Sequence, residues 1–175
     1  MSAEADPYRR SRLIMAGMAW LIIALGLFWF FTHWDESQRN PNPARLVDGQ
    51  KGELILKRNS GGHYVAGGEI NGRAVTFLVD TGASQVALGE SVARDLGLKS
   101  GIGVVLETAN GRVAGYEARL DRVRVGPLEA RNVRAVVTEG IRDDVVLLGM
   151  SFLKRVEFTQ RGDTLVLRPL PQEKL

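Results

Sequence analysis

The strongest constraint on this chain is a strand that ends in a carboxylate. Val75 to Val79, with Thr76 inside it, is an apolar run headed for an interior, and it stops at Asp80-Thr81-Gly82-Ala83-Ser84. Delivering an aspartate to a buried turn is costly unless neighbouring donors hold it. Thr81, the Gly82 N–H and Ser84 are the small donors within reach. An ordinary strand-to-turn exit is the structural alternative, because Asp, Gly and Ser are common there.

The surrounding sequence is built from short strands. Glycine is 20 of 175 residues and recurs between Val- and Leu-rich segments, so tight turns and an all-β domain are expected. Strands are predicted at Glu53–Lys57 and His63–Ile70, with Asn71-Gly72 as a type I′ turn into Arg73–Val79. A short extended piece, Val86–Leu88, precedes a brief helix from Glu90 to Leu96 that Gly97 ends. Gly103–Thr108 and Arg112–Val125 flank a second hairpin turn at Ala109-Asn110-Gly111. Gly126-Pro127 leads into Ala130–Val137, and Val145–Leu148 precedes a helix from about Met150 to Arg155. Val156–Thr159 and Thr164–Arg168 close the domain around Arg161-Gly162-Asp163.

Composition removes several classes of function. With 23 basic and 20 acidic residues scattered along the chain, no basic stripe suggests nucleic acid. Arg122-Val-Arg-Val125 reads as a strand with one solvated face. The absence of cysteine excludes disulfides, thiolate nucleophiles and Cys-type zinc sites. His33 and His63 stand alone, and Glu139, Asp143 and Asp144 lack an alternating oxygen-ligand loop, so no metal or other cofactor is expected. Ser84 and Ser151 have no His partner pattern for a nucleophilic triad.

The N-terminal part reads differently. Residues 1–12 form a polar tail carrying Arg9, Arg10 and Arg12. Residues 13–31 are 19 residues without a charge, long enough at about 1.5 Å each to cross most of a bilayer core of about 30 Å. A cleaved signal peptide would have a shorter apolar region and a small-residue exit, whereas this run leaves through Phe28-Trp-Phe-Phe-Thr-His-Trp34. The arginines before the run place the N-terminus in the cytoplasm and the C-terminal domain outside. In a Gram-negative cell that is a single-pass inner-membrane protein with a periplasmic domain. Residues 32–51, with Pro41 and Pro43, read as a tether, and residues 52–175 as one globular domain.

The Asp80-Thr-Gly-Ala-Ser84 block and the apolar-apolar-Gly block at Leu147-Leu148-Gly149 resemble the retropepsin-like aspartic proteases, specifically their bacterial membrane-anchored branch, over residues 62–169. The resemblance implies an acid-protease barrel or sandwich with one or two short helices. It also implies a peptide or protein substrate. Such enzymes need two carboxylates about one hydrogen bond apart, which cannot both ionise. One takes a proton from water while the protonated partner polarises the peptide carbonyl. The chain supplies one, because Asp163 has neither the preceding strand nor a Gly after its Thr. A homodimer follows, with Asp80 from each subunit on the two-fold axis. Thr81 would bond across that axis, Gly82 would allow close approach and donate its N–H, and Ser84 would donate to the outer carboxylate oxygen. Ala109-Asn110-Gly111 with its strands resembles the family's flap, and Leu147, Leu148 and Gly149 would support the catalytic turn. A non-catalytic peptide-binding or scaffold module of the same fold is the competing expectation.

Overall fold

The computed structural model describes residues 15, 18, 20–29, 40–42, 52–108, 111–141 and 145–170. The chain divides into two units, residues 1–38 and residues 39–175. In the first, residues 20–29 are helical and every side chain is exposed, including Trp20, Ile22, Leu25, Phe28 and Trp29. Among the described residues no helix is long and apolar enough to cross a membrane. The expected span over residues 13–31 falls largely on residues outside the description.

The second unit is all-β with two short helices. Its strands are β1 (Leu54–Lys57), β2 (Val65–Ile70), β3 (Arg73–Val79), β4 (Val86–Leu88) and β5 (Gly103–Thr108), followed by β6 (Gly111–Val125), β7 (Leu128–Thr138), β8 (Val146–Leu148), β9 (Val156–Arg161) and β10 (Thr164–Pro169). The helices are α1 (Glu90–Asp95) and α2 (Met150–Leu153). The larger sheet runs β2-β3-β8-β4-β7-β6-β5, and β2 also pairs with β6. That pairing closes six strands into a ring and, among the described residues, leaves β5 attached to β6 alone. Closure removes the free edges that an open sheet would expose. A smaller sheet, β1-β10-β9, completes the unit.

Local turn chemistry sets the hairpins. Asn71 and Gly72 both adopt positive φ, 51° and 84°, as the predicted type I′ turn requires. The Asn71 side-chain oxygen accepts the Arg122 N–H at 3.0 Å, which ties this turn to β6. Helix α1 ends in a Schellman motif, with Gly97 at φ 66°, its N–H on the Arg94 carbonyl and the Leu98 N–H on the Ala93 carbonyl. The second hairpin differs from the sequence expectation by one residue. Thr108 pairs with Gly111, so Gly111 is the first residue of β6, at φ 109°, and not a turn residue. Ala109 and Asn110 lie outside the described residues.

The core is a continuous cluster including Phe77, Val86, Leu88, Leu120, Val123, Val133, Val146, Leu148 and Phe152. Strands β6 and β7 both change which face points inward at one level. Buried positions step from Leu120 to Val123 and from Ala130 to Val133, an interval of three where strict alternation gives two. Asn132, at φ 58°, takes up the change on β7. Gly68 sits at the ring's seam, where a Cβ would collide with the Arg124 carbonyl and lie 2.7 Å from the Phe77 ring. A side chain there would hold β2 away from β6.

The stretch read as a tether is partly docked on this unit. Asn42 is 6% exposed, and its side-chain amide donates to the Lys57 and Val65 carbonyls while its oxygen accepts the Lys57 N–H. One side chain thus joins β1 to the start of β2.

Candidate active site

Two strands that run parallel side by side make the site. β3 and β8 pair in parallel, Val79 opposite Leu148, so both leave the sheet at the same end, one into Asp80 and the other into Gly149. The Asp80 N–H donates to the Leu148 carbonyl at 3.2 Å, carrying the pairing one residue further. Beyond it the chain folds back, with the Ala83 N–H on the Asp80 carbonyl and the Met150 N–H on the Ala83 carbonyl. Gly149 has no room for a side chain, since a Cβ would clash with the Gln85 carbonyl and lie 2.7 Å from the Ala83 carbonyl. Gly149 thus lets the two turns pack backbone against backbone. Leu148 is fully buried beneath the turn and Leu147 half-buried.

The carboxylate itself is half-buried, not deeply buried as the sequence suggests. Thr81, Gly82 and Ser84 are exposed and Ala83 is half-buried, because the turn lies where β3 leaves the sheet and no element among the described residues covers it. The Gly82 N–H donates to Asp80 Oδ1 at 2.8 Å, which fixes the carboxylate's orientation. Among the described residues neither the Thr81 nor the Ser84 hydroxyl bonds to it. Asp163 is remote from this chemistry by connectivity and partner. It occupies the β9–β10 turn with its side chain 88% exposed, and it pairs with Arg58 at 3.9 Å.

Ser151 supports the site in a way that the sequence reading missed. It is 3% exposed; its hydroxyl accepts the Val86 N–H at 3.0 Å and donates to the Arg134 carbonyl at 2.7 Å, tying α2 to β4 and β7. The available signal was a lone hydroxyl in the apolar helix Met150-Ser-Phe-Leu153. The β5–β6 arm is paired to itself from Thr108–Gly111 to Gly103–Tyr116, while β7 joins β6 only from Gly115 onward. A short two-stranded hairpin therefore extends past the ring. Among the described residues no group of acidic, His or Cys side chains could hold a metal ion, and Asp143 and Asp144 lie outside them.

A strand-delivered Asp-Thr-Gly turn, braced from below by an apolar-apolar-Gly turn and accompanied by a hairpin arm, is the arrangement of the aspartic-protease class. The family model described as "gag-polyprotein putative aspartyl protease" matches residues 66–155. The chain belongs to this retropepsin-like aspartic protease family. It is 36% identical over 134 residues to an uncharacterized protein of a Sinorhizobium species, covering 73% of this chain and 58% of that one. It is 36% identical over 120 residues to an uncharacterized protein of Rickettsia prowazekii (strain Madrid E), covering 66% of this chain and 51% of that one. The chain thus spans little more than half the length of these relatives. The crystal structure of a retropepsin-like aspartic protease from Rickettsia conorii superposes with a TM-score of 0.55 at 34% identity, over 66% of this chain and 89% of that one.

Proposed function

We propose that the chain is a membrane-anchored, homodimeric aspartic endopeptidase that hydrolyses peptide bonds between the Asp80 carboxylates of two subunits. The observation that carries this reading is the Asp80 turn itself, complete in motif, held by the Gly82 N–H, and solvent-exposed at Thr81, Gly82 and Ser84. Two such carboxylates keep one proton between them. The ionised one takes a proton from water as the oxygen attacks the peptide carbonyl, and the protonated one polarises that carbonyl. Collapse of the tetrahedral species breaks the C–N bond, and the amine leaves with a proton. Thr81, exposed beside the two-fold, bonds to its counterpart's turn, and Ser84 supports the outer carboxylate oxygen. The β5–β6 arm, with Ala109 and Asn110 at its end, acts as the flap over an extended substrate.

The free edge of the smaller sheet supports the dimer. Among the described residues β9 pairs only with β10, and Glu157 to Arg161 are all exposed, Phe158 at 41%. Two β9 strands set antiparallel about Thr159 place Glu157 opposite Arg161 of the partner subunit at both ends. Anchoring is supported by the uncharged run over residues 13–31 and by the all-round exposure of the apolar helical residues 20–29. Arg9, Arg10 and Arg12 then put the N-terminus in the cytoplasm and the protease unit outside it.

The deciding experiment compares the full chain with its Asp80→Asn variant in detergent on a peptide library, with and without pepstatin. Cleavage that the variant abolishes, with its circular dichroism unchanged, is the expected result. Equal cleavage by the variant refutes the mechanism. No cleavage by either chain favours the scaffold reading.

A further inference from the structure

A cleft of about 350 Å³ opens where the catalytic turn ends and the arm begins. Gln85, the residue after Ser84, forms one wall, the segment Lys99–Ile102 leading into β5 forms another, and Glu117 to Arg119 of β6 with Arg134 of β7 form the floor. A peptide lying extended between the arm and Asp80 passes this cleft, because its walls are the immediate continuations of both.

Its charge is unbalanced. Lys99, Arg119 and Arg134 face a single carboxylate, that of Glu117. Arg119 and Arg134 are directly opposite one another in the β6–β7 register, where like charges repel. The Arg119 guanidinium bonds to the neutral Asn132 side chain at 3.3 Å, and among the described residues neither Lys99 nor Arg134 has a side-chain partner. Two arginines at opposing register positions of β6 and β7, with Lys99 in the same lining, offer the charge and the forked donors that suit the planar carboxylate of an acidic side chain.

We propose that this cleft is a specificity subsite that takes a Glu or Asp side chain of the substrate, with Arg134 and Lys99 as its principal binding groups. The proposal rests on the peptidase reading for the path of the peptide. In a two-fold dimer each protomer brings one cleft, so the acid preference falls at two positions, one on each side of the scissile bond.

The test uses the full chain in neutral detergent with Asp80→Asn, which holds peptide without cutting it, and fluorescent peptides identical except for one residue. That residue is Glu, Gln or Lys and is moved through each position in turn. Fluorescence anisotropy is expected to show Glu binding about tenfold tighter than Gln at one position on each flank, with Lys weaker still and the difference shrinking as salt is raised. Arg134→Glu, which leaves two charges of each sign in the lining, is expected to abolish the preference, Arg134→Lys to retain part of it, and Lys99→Glu, on an exposed loop, to abolish it without touching the sheet. Equal affinities at every position, no binding of any peptide, or a preference that both charge reversals leave intact overturns the subsite. Cleavage of the same peptides by the unmutated chain separates the two readings. Acid-selective binding without cleavage removes the peptidase and keeps the cleft, while cleavage without acid selectivity does the opposite.

Discussion

At the scale of single residues, the site depends on two groups that do no chemistry. Gly149 is packed between the carbonyls of Ala83 and Gln85, so Gly149→Ala forces the Asp80 turn to shift. Overpacking of this kind is expected to cost about 3 kcal/mol, read by urea unfolding, with peptidase activity falling further than stability because Asp80 moves with the turn. Ser151→Ala leaves the buried Val86 N–H and the Arg134 carbonyl without their partner. The expected loss is about 2 kcal/mol. Ser151→Thr keeps the hydroxyl, and recovery of most of that loss would assign it to the hydrogen bonds and not to packing. Of these two, the glycine was visible in the sequence, since an apolar-apolar-Gly block following a strand signals close approach. The serine was not, because a hydroxyl's worth depends on which carbonyl and N–H the fold brings to it.

At the scale of elements, the hairpins were legible and the parallel pairings were not. Asn71-Gly72, Gly126-Pro127 and Gly162-Asp163 each connect strands adjacent in sequence, and the dipeptides themselves carry the required backbone angles, with positive φ at Asn71, Gly72, Gly126 and Gly162. β3 with β8 and β4 with β7 join distant parts of the chain through three register pairs each, too few for any local pattern to register. The closing β2–β6 contact depends on Gly68, which in the sequence is one glycine among 20. Asn42 was hidden for a related reason. It lies in a polar, Pro-flanked stretch with no apolar period, yet one amide serves three backbone groups of β1 and β2. Asn42→Ala is expected to lower stability by about 2 kcal/mol, and Asn42→Asp, which cannot donate to the two carbonyls, by at least as much. A thermal melt of both variants with no change from the unmutated chain would remove the docked tether from the account.

At the scale of the whole molecule, the dimer can be tested by charge alone. Glu157→Arg and Arg161→Glu each place like charges opposite one another in the proposed β9 pairing, whereas the double exchange restores opposite pairs. Sedimentation in detergent is expected to show each single variant dissociating at about tenfold higher concentration and the double variant returning toward the original. Three identical profiles would move the interface elsewhere. Full-length chain that stays with the bilayer after alkaline carbonate washing is the expected result for the anchor. The arm sets a different kind of limit. Among the described residues only Gly111 to Val113 of β6 lie beyond the reach of β7, whose Thr138 hydroxyl still bonds the Ala114 carbonyl, so the free part is about three residues or roughly 10 Å of strand at about 3.4 Å each. Neighbouring strands are about 4.8 Å apart, so an arm of that length can cover an extended strand laid across it and little beside it. The proposed peptidase is then expected to read slack chain, cutting tails, linkers and unfolding segments as a substrate's own stability falls.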